Sequence, residues 1–220
     1  MSAMRGLTVV KLGGSLAASA QLPRLLQELA RLPGLVIAPG GGPFADAVRR
    51  AQSEHGFDDA AAHDMALLAM AQFGRMLAAQ AGFRTVWGAD RIAAVLARGH
   101  ARNSAPAPLV WLPDPATDAA EVERSWRITG DSLALWLARR LGARRLVLLK
   151  SCPITATDLS ALATAGIVDE VFPRMARECA DVGVSLIDAT RTSNLRDELD
   201  GCDRPIPTAQ DCMRSLSVVS

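Results

Sequence analysis

The chain has 220 residues, half of them apolar, and a formal net charge of +1 from 24 Lys plus Arg against 23 Asp plus Glu. That composition supplies one substantial core and no basic surplus for nucleic acid, and its longest apolar stretch, Leu133 to Leu149, is cut by Arg139, Arg140, Arg144 and Arg145, too short of the roughly 20 uninterrupted apolar residues a membrane span needs. Cys152, Cys179, Cys202 and Cys212 form no CxxC pair, and the N-terminus runs into a strand-like segment without a leader pattern, so a soluble protein of the reducing cytoplasm is expected.

In chain order, strand-like runs fall at Leu7 to Leu12, Leu35 to Ala38, Arg84 to Trp87, Pro108 to Leu112, Arg145 to Leu149 and Val184 to Asp188. Most are continuously apolar, the pattern of strands covered by helices on both faces of a parallel sheet. Helical periodicity fills the intervals: Gln21 to Arg31, Phe44 to Ser53, His63 to Gln80, Ala89 to Arg98, Ser132 to Leu141, Asp158 to Thr164 and Pro173 to Val182. The alternation predicts an α/β fold, a three-layer α/β/α sandwich around a mainly parallel sheet, formed as one domain over residues 1–220. Asn103 to Arg124, rich in Pro, Ala and Asp, reads as an excursion or mobile loop, and the tail after Gly201 is polar until Leu216 to Val219.

The first strand ends in Lys11-Leu12-Gly13-Gly14-Ser15 and the second in Pro39-Gly40-Gly41-Gly42-Pro43, each followed by a helical pattern. A glycine turn between strand and helix lets backbone N–H groups approach an anion closely, and the helix N-terminus adds partial positive charge. In a parallel sheet both turns emerge at the same edge, where they can face one polyphosphate. Neither turn is a GxxxxGK[ST] loop or a GxGxxG fingerprint, which removes the Walker and dinucleotide alternatives. A tight turn without a ligand is the plainer alternative for either pair alone.

Lys11 and Lys150 are the chain's two lysines; every other basic side chain of this type is arginine. A compact ammonium in two places, where guanidinium was used everywhere else, marks both as functional candidates. Lys150 closes the fifth strand, on the edge where the glycine turns lie. Asp131, in Ile128-Thr129-Gly130-Asp131-Ser132, opens a helix and has two readings, an N-cap or a carboxylate that positions a lysine or a metal-bound phosphate. His63 lies on the same helical face as Ala66, Leu67 and Met70, as a packing residue or as an imidazole reaching an acceptor. The three histidines have no partners at ligand spacing, so no protein-built metal site is expected.

Together, Lys11-Leu-Gly-Gly-Ser15, Gly40-Gly-Gly42 and Thr129-Gly-Asp131-Ser132-Leu-Ala134 resemble the amino acid kinase superfamily. Pro39-Gly-Gly-Gly-Pro-Phe44-Ala-Asp46-Ala-Val-Arg49 and Ala62-His63-Asp-Met65-Ala66 are similar to its small kinases of methanofuran biosynthesis, which phosphorylate aminomethyl-furanmethanol phosphate. The resemblance implies a kinase using ATP and Mg²⁺ on a small phosphorylated substrate, with the metal held through ATP phosphates, in one-carbon metabolism and as a homo-oligomer. It places acceptor binding in about residues 1–125 and nucleotide binding in about 126–220.

By the same resemblance Lys11, Asp131 and Lys150 are catalytic. Gly13, Gly14, Ser15, Gly40, Gly41, Gly42 and Ser151 bind phosphate or nucleotide, and Phe44, Asp46, Arg49, His63, Thr129 and Gly130 bind the acceptor. Arg49 also reads as a solvated helix residue. Two departures stand out: the family's aspartate-glycine nucleotide loop appears as Lys150-Ser-Cys-Pro-Ile154, and the second catalytic lysine of many members has no counterpart around Phe172-Pro-Arg174-Met175. The late Gly-Thr signature is absent too. A non-catalytic nucleotide-binding or regulatory protein on the same fold is therefore the alternative.

Overall fold

The computed structural model describes residues 6–101 and 107–201. The strands are β1 (Thr8–Leu12), β2 (Leu35–Pro39), β3 (Arg84–Trp87), β4 (Leu109–Leu112), β5 (Arg145–Lys150) and β6 (Gly183–Asp188). They form a six-stranded sheet in the order β3-β4-β2-β1-β5-β6, and every pairing is parallel. β1, β2 and β4 are buried along their whole length, which is why they read as continuous apolar runs rather than alternating ones.

The helices are α1 (Leu22–Ala30), α2 (Gly42–His55), α3 (Asp59–Ala81), α4 (Ala89–Ala101), α5 (Gly130–Arg140), α6 (Leu159–Thr164), α7 (Phe172–Glu178) and α8 (Leu195–Gly201), with a short 3-10 turn at Gly14–Ala18. Leu25, Leu29, Phe73, Leu77 and Leu195 pack on one face of the sheet with Val10, Leu12, Val147 and Leu149. On the other face Ile92, Leu133, Leu137, Leu162 and Phe172 pack with Val9, Val36, Leu146 and Leu148. Each such side chain taken out of water contributes about 1.5–3 kcal/mol before entropy is counted. The three layers expected from the sequence are thus present.

Three local expectations change. α3 begins at Asp59 rather than at His63, because Asp58 accepts a hydrogen bond from the Ala61 N–H and caps it there. α8 was not expected; its polar sequence hides Leu195 and Leu199, whose side chains join the core. Within the excursion, residues 107–124 are held down: the buried Asp118 carboxylate accepts hydrogen bonds from Trp111 Nε1, the Ala89 N–H and the Asp114 N–H. Asn103 to Pro106, Cys202, Cys212 and the Leu216 to Val219 segment lie outside the described residues.

Strand order positions the site. β1 leads to β2 on one side, the chain then builds β3 and β4 beyond it, and β5 returns to the other side of β1. The connections leaving β1 and β5 therefore diverge, and a crevice opens beyond the carboxyl ends of these two strands.

Candidate active site

Lys11 pairs in register with Leu148, so Lys11, Leu148 and Lys150 point to one face of the sheet. α5 lies on that face, and the Asp131 carboxylate in its first turn comes down between the two lysines. Lys150 Nζ donates to Asp131 Oδ2 at 2.7 Å, and Lys11 Nζ lies 2.8 Å from Asp131 Oδ1. All three side chains are buried. The Lys11 contact is a close, buried ion pair on the carboxylate oxygen that Lys150 leaves open.

Burial works to raise the Asp131 pKa, but the charges and hydrogen bonds of Lys11 and Lys150 outweigh it and hold the carboxyl below its ordinary range. The N-terminal end of α5 favours the same ionised form. Burial, with Lys11 as a like charge, lowers the Lys150 pKa against the pull of Asp131. One carboxylate between two ammonium groups leaves a net positive charge in a site poor in water, an arrangement that draws a polyanion.

The glycine turns meet over this cluster. The Gly13 N–H donates to the Leu149 carbonyl at 3.2 Å and the Gly40 N–H to the Leu12 carbonyl at 2.8 Å. A Cβ on Gly14 would lie 2.4 Å from the Gly42 nitrogen, and one on Gly40 2.4 Å from the Gly14 nitrogen. The two turns are in backbone contact, which no side chain would permit. Ser15 and Ser151 share a hydrogen bond of 2.6 Å between their hydroxyls, tying the β1 and β5 loops together.

Asp131 is not the cap of α5. Thr129 is the N-cap residue and uses no side-chain bond for it; the cap comes from Asp169, far along the chain. Asp169 Oδ2 accepts the Thr129 N–H at 3.1 Å and the Ser132 N–H at 2.9 Å, while Oδ1 accepts the Ser132 hydroxyl and the Phe172 N–H. Desolvation raises the Asp169 pKa despite these donors. With its first turn satisfied from outside, α5 leaves the Asp131 side chain free for the lysines.

Two cavities adjoin at the cluster. The first, about 490 Å³, is lined by Lys11, Gly14, Ser15, Gly40, Gly41, Gly42, Asp46, Arg49, His63, Trp126, Thr129 and Gly130. The second, about 640 Å³, is lined by Lys11, Gly13, Asp131, Lys150, Ser151, Asp169 and the apolar Ile167 and Val168. Lys11, Gly14, Ser15, Ser125, Trp126 and Thr129 border both.

The amino acid kinase family profile matches residues 6–107. A 28% identical relative is the [5-(aminomethyl)furan-3-yl]methyl phosphate kinase of Methanocaldococcus jannaschii, aligned over 190 residues that cover 77% of this chain and 82% of that one. UMP kinase from Ureaplasma parvum shares the fold with a TM-score of 0.65 at 13% identity, over 90% of this chain and 94% of that one. Uridylate kinase from Archaeoglobus fulgidus does so with 0.63 at 13% identity, over 91% and 97%.

Against this amino acid kinase fold, the residues singled out in the sequence fall into groups. Lys11, Asp131 and Lys150 meet at one point, and Gly13, Gly14, Ser15, Gly40, Gly41, Gly42, Thr129, Gly130 and Ser151 surround it. Asp46, Arg49 and His63 line the first cavity. Phe44 lines neither; it packs against the core on the face of the sheet that holds Leu25, Phe73 and Leu77. Arg174 is exposed and borders neither cavity. Sequence reasoning missed Asp169 and Trp126. Nothing local marks Asp169, but an indole in the polar run Glu123 to Thr129 of a chain with no tyrosine was a usable signal.

Among the described residues no helix is long and apolar enough to cross a membrane.

Proposed function

We propose that this chain is an ATP-dependent phosphotransferase that carries the γ-phosphoryl group of Mg-ATP to the phosphate of a small phosphomonoester, with aminomethyl-furanmethanol phosphate as the acceptor. The observation that carries this reading is Asp131 holding Lys11 and Lys150 where two cavities meet. On this reading the first cavity receives the acceptor, drawing mostly on about residues 1–125 together with 126–133, and the second the nucleotide, drawing mostly on about residues 126–220 with Lys11 and the first glycine turn. The name of the 28% identical relative supports the choice of acceptor.

In the transfer, an oxygen of the acceptor's phosphate bonds to the γ-phosphorus as the bond to the β,γ-bridging oxygen breaks, and ADP leaves with that electron pair. A phosphomonoester has a second pKa near about 6 and is already mostly ionised at neutral pH, so no general base is required. What remains is positioning and charge neutralisation. Lys11, bordering both cavities, stabilises the phosphoryl group in flight; Lys150 meets the nucleotide's phosphates; the N–H groups of Gly14, Gly41 and Gly42 orient them, those of Gly13 and Gly40 being bonded to Leu149 and Leu12.

The residues present suit Mg²⁺ delivered with its nucleotide. Asp131 and Asp169 are committed to ammonium and N–H donors, so the ion is held by the phosphates and neutralises their charge. The alternative, a non-catalytic nucleotide-binding or regulatory protein on the same fold, is motivated by the missing lysine near Arg174; the two ammonium groups held on Asp131 favour the kinase reading.

The test is ADP release with Mg-ATP against aminomethyl-furanmethanol phosphate, uridylate, isopentenyl phosphate and acetylglutamate. Turnover with the furan phosphate well above the others is expected. ATP binding without ADP release on any acceptor would overturn the kinase reading in favour of the binding protein.

A further inference from the structure

Trp126 is the one Phe, Tyr or Trp side chain bordering the first cavity among the described residues. Its indole Nε1–H donates to Gln52 Oε1 at 2.6 Å, which fixes the ring against α2. The Arg49 guanidinium lies over that ring, 4.3 Å from its centroid, and donates through Nη1 to Asp46 Oδ1 at 3.1 Å. Arg49, Asp46 and Trp126 all line this cavity.

The short segment that carries Trp126 is pinned on both sides. Arg124 donates to the Ala60 carbonyl at 3.0 Å and pairs with Asp64 on α3. Arg127 pairs with Glu170 at 2.9 Å, and the Thr129 N–H is held by Asp169. The indole therefore presents a fixed surface, while the Arg49 side chain, 49% exposed, depends on its neighbours for its position.

An arginine stacked on an aromatic face uses the face of its guanidinium and keeps the in-plane N–H donors at the edge. Those donors match two phosphate oxygens. We propose that Trp126 is a specificity-determining residue: by stacking Arg49 it holds a guanidinium edge ready for the phosphate that an acceptor already carries, so that the first cavity distinguishes phosphomonoesters from their free alcohols. Trp126 acts through Arg49 and is a positioning residue. The inference rests on the kinase reading for its meaning, not for its test.

The test is calorimetric binding of aminomethyl-furanmethanol phosphate, and of its unphosphorylated alcohol, to the full chain without ATP, using wild type, Trp126→Leu, Trp126→Phe, Arg49→Ala and the Trp126→Leu/Arg49→Ala double variant. Trp126→Leu should weaken the phosphate ester roughly tenfold, the scale of a partly desolvated cation–π contact, with little change for the alcohol. Trp126→Phe should recover much of the loss. In the Arg49→Ala background Trp126→Leu should cost almost nothing more, because both changes remove one interaction. With ADP release as second readout, acceptor KM should rise while kcat stays within about twofold. Equal losses for ester and alcohol, additive losses in the double variant, or no binding of the ester to wild type would each overturn the proposal. Binding with this pattern but no ADP release would refute the kinase reading and leave the role of Trp126 standing.

Discussion

Lys150 sits with its ammonium 2.7 Å from Asp131 Oδ2, deep under the glycine turns and at the end of a strand that pairs directly with the strand of Lys11. A charge so placed serves two purposes that mutation can separate. Lys150→Met removes one of two cations and leaves the Asp131–Lys11 pair intact, so the fold should lose little stability. Loss of a charged stabiliser in a water-poor site should nevertheless cut ADP release about 10²- to 10³-fold. Asp131→Ala strands two buried ammonium groups, and a loss of about 3–5 kcal/mol is expected. Urea melts beside steady-state ADP release give both readouts; near-normal kcat in Lys150→Met would count against its assignment.

Gly14 tests the contact between the turns. A Cβ there meets the Gly42 nitrogen at 2.4 Å and its Cα at 2.9 Å, and both atoms are backbone that cannot rotate away. Gly14→Ala must part the two turns, with a cost of about 1–3 kcal/mol typical of overpacking, and a loss of turnover larger than that stability change predicts. Gly6→Ala is the control, because nothing lies within 4 Å of its Cβ position. Equal behaviour of the two variants would mean that the close approach has no consequence.

Legibility in the sequence followed physical locality. β1, β2, β4 and β5 were readable because burial on both faces demands largely apolar runs, and the less buried β3 and β6 by their shorter apolar stretches; each expected range differs from the observed one by at most a residue at either end. Lys11 and Lys150 were readable because lysine is so rare in this chain. The dual reading of Asp131 was not resolvable locally: which carboxylate caps α5 depends on Asp169, brought back from the loop between α6 and α7 by folding. α8 was hidden for a related reason, since two buried leucines in a polar heptad make a weak stripe.

Asp169 gives a further prediction. Its two oxygens accept from Thr129, Ser132 and Phe172, joining the starts of α5 and α7. Asp169→Ala leaves buried N–H donors unpaired and should destabilise by about 1–3 kcal/mol. Because α5 carries Asp131, kcat should fall as well, although Asp169 itself is expected to touch neither phosphate. A normal kcat with lowered stability would show that the cap is structural alone.

His63 supplies the pH dependence. It is buried beside the first cavity, and its pKa is lowered below the ordinary 6.5 by desolvation first, with Asp64 and a hydrogen bond from the imidazole to the Ser125 backbone opposing and Arg124 assisting. The native state thus resists protonation, while the unfolded chain takes up a proton near 6.5. Between those two values the unfolded state binds more protons, so stability must fall as pH falls through 6.5 and level off below the native pKa. Above 6.5 both states carry a neutral imidazole and the term vanishes. The slope from this one group cannot exceed about 1.4 kcal/mol per pH unit. His63→Gln keeps a polar side chain without the titration, so its urea midpoint should drop less than that of wild type between about pH 7.5 and about pH 5.5. Parallel losses in the two proteins would place the acid sensitivity elsewhere.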